Sequence, residues 1–370
     1  MIRKAKQSQK AGDGSNQYQA ETIIVQNGID EKRAREICNE MFAATRRELS
    51  EEAYGAACRR VNEFENDLIP KMQKIDGALD AFADPAFQFL IADAHKTAAS
   101  TDRPADYSLL SELLIHRIQR GQNRATIAGI SRAVEIVDEI ADDALLALSV
   151  SFAVEQYNPT SGSIFQGLDV LDSLFEKLCY AELPSGSMWL DHLDILDAIR
   201  MSHFGKLKKL EEYYAETMPG YCVAGIKKDT ENYAKAQQLL VEAGLPSTIM
   251  VNNELDNQYV RLALVSRERI SSLSLTSVRI IDGQTIQTTT KLTADQEKTL
   301  GDIWNLYDND ASTLERIKAQ FYHEILNRPN LRKVQAWWNN VPTAFNTTAV
   351  GKVLAHANAK RCDPSLPDLN

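Results

Sequence analysis

From Glu31 onward, apolar residues recur at three- and four-residue intervals, the period of a helix with one buried stripe. Asp30 stands where a cap is needed, and Ala34, Ile37, Cys38, Met41 and Phe42 follow on one face. A second helix is expected after Ser50, whose hydroxyl can accept from the free amides of "EEAY". From there Tyr54, Val61, Leu68, Ile75 and Phe82 recur every seven residues, with Met72 and Leu79 on the adjoining stripe. Such a seam suits a coiled coil or the inner helix of a bundle, and the bundle is preferred. Pro70 removes a backbone donor within it and predicts a kink.

Pro85 opens the next helix in "ADPAF", and "STDRPAD" punctuates before "YSLLSELLIHRIQRG". Then come "TIAGISRAVEIVDEIA", "DALLALSVSFAVEQY", "SIFQGLDVLDSLFEKLCYAEL", "MWLDHLDILDAIRMSHF" and "KLKKLEEYYAETM", each with a helical stripe. Residues 31–218 therefore read as one all-helical region. No fixed-period repeat of 34 to 45 residues runs through it, which argues for a bundle over a solenoid.

Two regions break the period. "GSNQYQAETIIVQNG", residues 14–28, reads as one isolated strand. After "MPGYCVAG" a helix runs from Thr230 to Ala243, stopped by Gly244 and Pro246. It is followed by candidate strands in "STIMVN" and "YVRLALVS", the second equally compatible with helix. "SVRIIDGQTIQTTT" is the clearest β signal, because Asp282-Gly283 between β-rich arms fits a two-residue type I′ turn. Helices return from Leu292. The expected fold is mainly α: helical bundle regions with an N-terminal β-strand arm and a small hairpin-containing insert. The divisions fall at 1–29 (basic tail and strand), 30–218 (helical), 219–292 (mixed α/β) and 293–370 (C-terminal helical).

A single strand leaves its backbone donors and acceptors unpaired, so it needs a neighbour. Gln17, Gln19, Ile23, Ile24, Val25 and Gln26 are side chains suited to a ladder between identical strands. The strand can pair with its counterpart in another subunit, dock on the hairpin near 278–290 of its own chain, or stay unstructured. No other strand candidate lies within about 200 residues, so docking in the same chain requires a long closure. Pairing between subunits is the preferred reading, which makes these six residues the expected oligomerisation site.

Composition narrows the partners. The formal charge of -10 and pI near 5.3 disfavour broad nucleic-acid binding, and the basic Arg3, Lys4, Lys6 and Lys10 read as a solvated end. No apolar leader region or membrane-length apolar run occurs, so a cytoplasmic location is expected. Cys38, Cys58, Cys179, Cys222 and Cys362 are odd in number, and no pair has CxxC spacing. Neither a disulfide framework nor a metal site is signalled, and no cofactor is expected.

"GDGSNQYQAETIIVQNGI" with a capped helix after it, and "TTAVGKVLAHANAKR" near the other end, resemble an uncharacterised family of mostly helical bacterial hypothetical proteins. Its marks are a Gln/Asn-rich strand ending in Gly and a "T-x-x-G-x-x-h-A-x-A" helix. The resemblance implies structure rather than catalysis, and it implies a gene context of phage defence or mobile elements.

The phosphate loops GxxxxGK[ST] and GxGxxG and the catalytic motifs HExxH and GxSxG are absent. Arg316 and His323 in "RIKAQFYH" are similar to the active-site motif of the HEPN ribonucleases, in which His is the acid/base and Arg steadies the phosphorane. With six His in the chain such a spacing is expected by chance. Asp191, Asp194 and Asp197 with His192 could hold a cation, yet three-residue steps fan them around a helix toward solvent. Of Trp337 and Trp338, one belongs in the core and the other is half exposed. His356, on a small-residue face, reads as a packed polar residue.

These observations lead to a non-enzymatic, self-assembling interaction protein, a scaffold or sensor in a bacterial phage-defence-type system, with itself and a further protein as partners. The alternative is a HEPN-like, metal-independent ribonuclease effector using Arg316 and His323.

Overall fold

The computed structural model describes residues 29–43, 49–119, 123–202, 204–281 and 284–369. Gln17, Gln19, Ile23, Ile24, Val25 and Gln26 of the expected assembly strand lie outside them, as does the Asp282-Gly283 pair. The described chain is mainly helical, as its periodicity requires.

The first helices start at their caps. Arg33 N donates to Asp30 Oδ1 at 2.8 Å to open α1 (Glu31–Ala43), and Ala53 N donates to Ser50 Oγ at 3.3 Å to open α2 (Glu51–Gln73). The seven-residue seam is not a single helix. Pro70 falls inside the last turn of α2, which ends at Gln73. Gly77, at φ 70°, then turns the chain into a 3-10 helix (Ala78–Ala83) that returns Phe82 to the core. α2 packs on α3 (Pro85–Ser100) and α4 (Pro104–Gln119), the bundle arrangement rather than the coiled coil.

α5 (Arg124–Glu135), α6 (Asp142–Gln156) and α7 (Ile164–Leu178) follow. The segment read as one helix through "MWLDHLDILDAIRMSHF" is broken. α8 (Met188–Ile195) stops before Asp197, which takes the left-handed φ of 61°. The next residues form β1 (Ile199–Met201), antiparallel to β7 (Phe345–Thr347) with Ile199 opposite Thr347. The partner strand is distant in sequence, so local periodicity could not show the break.

After α9 (Leu210–Thr217) comes the mixed segment. β2 (Ile226–Lys227), β3 (Met250–Asn252) and β4 (Tyr259–Leu262) form a three-stranded antiparallel sheet in the order β2-β4-β3. "YVRLALVS" is thus strand in its first half. α10 (Glu231–Glu242) begins at the Thr230 cap and ends before Gly244, as expected. The hairpin of β5 (Ser274–Ile281) and β6 (Gln284–Lys291) is present, its register running from Ser274 opposite Lys291 to Ile281 opposite Gln284. Among the described residues neither strand pairs with a third. α11 (Ala294–Trp304) completes a small apolar core with Leu240, Val260, Leu262 and Leu300.

Two charged side chains dock this segment on the helical body. Glu254 accepts from Ser163 Oγ at 2.7 Å and from the backbone amides of Ile164 and Phe165, capping α7 from across the chain. Arg261 is fully buried; it donates to the carbonyls of Leu262, Leu264 and Gly162, and its guanidinium lies 5.8 Å from the Tyr221 ring centre.

α12 (Ala311–Leu326), α13 (Pro329–Trp338) and α14 (Ala349–Cys362) close the chain. α14 returns to the interior of the helical body against α4, α5 and α6. No helix among the described residues is long and apolar enough to cross a membrane.

Candidate functional site

Small residues let α14 into the body. A Cβ on Gly351 would stand 2.0 Å from Ala198 O, and one on Gly129 of α5 would stand 3.2 Å from the Ala349 backbone. Thr348 caps the helix, accepting from Gly351 N at 3.2 Å. Inside the body Asn358 Nδ2 donates to Ser149 Oγ of α6 at 2.8 Å, both side chains buried. The first two turns of α14 are thereby held beside the start of α5.

A cavity of about 470 Å3 opens there, between α4, α5, α6, α14 and the tail after Cys362. Its inner wall is aromatic: His356 lies edge-on to Phe152 with ring centres 6.2 Å apart, and His116 lies 5.8 Å from His356. His356 Nε2 is 2.9 Å from Pro367 O. A carbonyl only accepts, so Nε2 carries the proton and Nδ1 is the acceptor. Burial lowers the His356 pKa, with Lys360 adding to that and the Pro367 hydrogen bond opposing it, so the ring is neutral near pH 7.

Positive potential collects at the rim. Lys352 lines the opening, and the N-termini of α5 and α14 both meet it. Asn123 Oδ1 already takes the Ala125 amide at 2.9 Å, but the partial positive charge of each helix end remains. Asp368 is the acid in the lining, and it pairs with Lys360. Burial raises the pKa of the neighbouring Glu155 carboxyl, with the Lys352 charge opposing. Tyr157 separates this cavity from a second of about 530 Å3 between α7 and the tail. Its hydroxyl is buried without a hydrogen-bond partner, as is Asn158 Oδ1 on the second cavity's wall. Burial first, and then the Asp363 charge, push the Tyr157 pKa well up, so it stays a neutral phenol. A buried polar atom without a partner is costly, and a bound molecule with its own polar groups would relieve it.

Arg316 and His323 lie elsewhere. Both are on α12, two turns apart, and both are exposed. Arg316 pairs with Asp256 at 2.6 Å, and His323 Nδ1 is 3.1 Å from Asn327 Nδ2. The structure brings them to no common cleft. Asp191, Asp194 and Asp197 have separate tasks: Asp194 accepts from Met201 N, Asp197 pairs with Arg200 at 2.7 Å, and Asp191 bonds Ser187. His192 Nε2 accepts from Ala141 N at 3.1 Å. Trp338 is buried and donates to Lys208 O, whereas Trp337 is half-buried and donates to Pro184 O. His356 is buried as expected, but its role as a cavity wall was not legible, because His116 and Tyr157 reach it from two other parts of the chain. Among the described residues, one group of possible metal ligands is close enough to share an ion: Cys38, Glu65 and His95, which are not part of this cavity.

A family model with the description ":-like" matches residues 28–369. The chain belongs to that family. The match takes in the whole helical body, the mixed segment and α14. No curated protein and no solved structure matches the chain.

Proposed function

We propose that this is a non-enzymatic, self-associating interaction protein of the cytoplasm. In this reading it is a sensor whose helical body binds a small anionic molecule beside α14. The observation that carries the reading is the convergence of Lys352 and two helix N-termini on a cavity walled by His356, Phe152 and the unpartnered Tyr157 hydroxyl. Flat rings inside and positive charge at the rim suit a ligand with an aromatic or planar body and an anionic group. Arg316 and His323, exposed and engaged locally, lend the ribonuclease alternative no support.

Self-association rests on the Gln- and Ile-rich sequence of residues 17–26, whose pattern suits a ladder between identical chains. A place in bacterial phage defence rests on the resemblance of the terminal segments alone. The test has two arms. Inorganic phosphate and a set of nucleoside monophosphates and cyclic nucleotides are titrated in a thermal-shift assay. A member of the set should raise the melting temperature of the wild type, and the rise should be lost in Lys352→Ala. A flat response to every anion would end the sensor reading. In the second arm, light scattering should find a multiple of 41.4 kDa for the wild type and a mass near 41.4 kDa for Ile24→Pro, because proline cannot sit inside a paired ladder. A monomeric wild type would end the self-association reading.

A further inference from the structure

Cys38 of α1, Glu65 of α2 and His95 of α3 meet in the interior of the first three helices. One ligand atom from each lies within 4.8 Å of the other two. All three residues are sealed from solvent, at 0, 3 and 1% exposure. The rings of Phe42 and Phe64 stand edge-on to His95, 6.0 and 5.9 Å away, and make the surroundings apolar. His95 Nε2 is 3.2 Å from Glu65 Oε1, yet neither ring nitrogen makes a hydrogen bond, so the approach lacks the direction of a donor meeting a lone pair. Among the described residues no Lys or Arg forms an ion pair with Glu65.

We propose that Cys38, Glu65 and His95 bind a divalent transition-metal ion, with zinc as the best fit. Thiolate, imidazole and carboxylate are the three side-chain ligand types zinc uses, whereas magnesium and calcium require sets of oxygen ligands. Charge supports the same ion. A thiolate and a carboxylate together carry two negative charges, and with a neutral imidazole a divalent cation makes the centre electrically neutral. Neutrality is what an apolar interior tolerates, while a buried carboxylate whose neighbours are the Cys38 thiol, which donates to it, and an imidazole with no hydrogen bonds lacks a full countercharge. A tetrahedral centre has ligand edges of roughly 3.3–3.8 Å, so the separations present need only small side-chain adjustments.

On binding, the sulfur–metal bond forms as the S–H bond breaks, and the thiol proton leaves to solvent. Burial and the Glu65 charge hold the free thiol protonated, so uptake should strengthen as pH rises. Three protein ligands leave a fourth position for water or a small exogenous ligand. The ligands come from three successive helices, separated by no recognisable metal-binding spacing, and the ion would staple α1 to α2 and α3.

The experiment uses tag-free, full-length protein purified without chelator and dialysed against metal-free buffer. Elemental analysis should find about one zinc per chain. Exchange with cobalt(II) should give a near-ultraviolet band from thiolate-to-cobalt charge transfer. Cys38→Ala should lose the band and retain at least about 10-fold less zinc. Cys222→Ala, which removes another buried thiol, should keep both. Wild-type protein with neither zinc nor a cobalt band overturns the proposal and leaves a buried Glu65–His95 pair with a thiol beside it. Full zinc retention in Cys38→Ala overturns it too. If Cys38→Ala does not fold, His95→Gln and the wild-type cobalt spectrum decide in the same way.

Discussion

The packing of α14 in the helical body and the docking of the mixed segment after α9 differ in the polar groups they bury. The body closes by nesting: Gly351 and Gly129 bring α14 close to its neighbours, and the polar pair Asn358–Ser149 is small, neutral and satisfied. The mixed segment has a small core of its own, and at its docking face buried charges add to close packing: Tyr221, Cys222 and Val265 join the apolar core of the body, and Gly162 and Gly167 leave room for Ala263 and the Tyr221 hydroxyl. Glu254 caps α7, and Arg261 is buried against carbonyls and the Tyr221 ring. Burial pulls the Arg261 pKa down, although Tyr307 and Glu254 oppose that, and the arginine stays charged. Nesting rewards missing atoms and tolerates no added ones. Charge docking adds a requirement for two specific side chains.

The contrast can be broken most sharply at Gly351. Gly351→Ala puts a methyl group 2.0 Å from Ala198 O, a contact with backbone that no rotamer relieves. A loss of about 3 kcal/mol is expected in urea unfolding, and a loss below about 1 kcal/mol would show that α14 is not tightly nested. Next comes Arg261→Met, which keeps length but leaves three carbonyls without their donor. We expect about 2–3 kcal/mol, localised: hydrogen exchange should quicken in β2–β4 and stay slow in α14. Uniform quickening would mean that the mixed segment is not a separable docking unit.

A smaller effect is expected at the tail. The His356 pKa is lowered in the folded state, so between its unfolded value of about 6.5 and the lower folded one only the unfolded chain takes up a proton. Stability from this group is therefore full above about pH 6.5 and declines as pH falls through the folded value. His356→Gln should flatten the melting curve's pH dependence over that interval, and an unchanged slope would mean that the ring is not held neutral. The smallest effect belongs to Arg316. Its pairing with Asp256 also joins α12 to the mixed segment, but the arginine is exposed, and Arg316→Ala should change stability by no more than about 0.5 kcal/mol. A large loss there would erase the distinction between buried and exposed docking charges.

Much of the fold could be read locally. Asp30, Ser50 and Thr230 cap the helices that the periodicity predicted, and the arms around Asp282-Gly283 pair in the expected hairpin. The two misreadings have different causes. Phe82 continued the seven-residue seam in sequence but is reached through a turn and a 3-10 helix, and Ile199–Met201 carried a helical stripe but found a strand partner in Phe345–Thr347. At Ile199–Met201 a neighbour far along the chain outweighed a local preference worth only fractions of a kcal/mol per residue, whereas at Phe82 the break is the local turn at Gly77.

The sites were less legible than the fold. His356 stood out in the sequence, and Cys38 stood on the apolar face of the first helix, but nothing in their spacing pointed to His116 and Tyr157 or to Glu65 and His95. By itself the sequence determined the helix boundaries that depend on caps and on Gly or Pro, the hairpin, the acidic net charge and the absence of common catalytic motifs. Only the tertiary structure decided that α14 lies inside the body, that Glu254 and Arg261 anchor the mixed segment, and which side chains share a cavity or could share an ion. The reason is range: caps and turns act over a few residues, whereas cavities and ligand clusters are set by how whole helices pack.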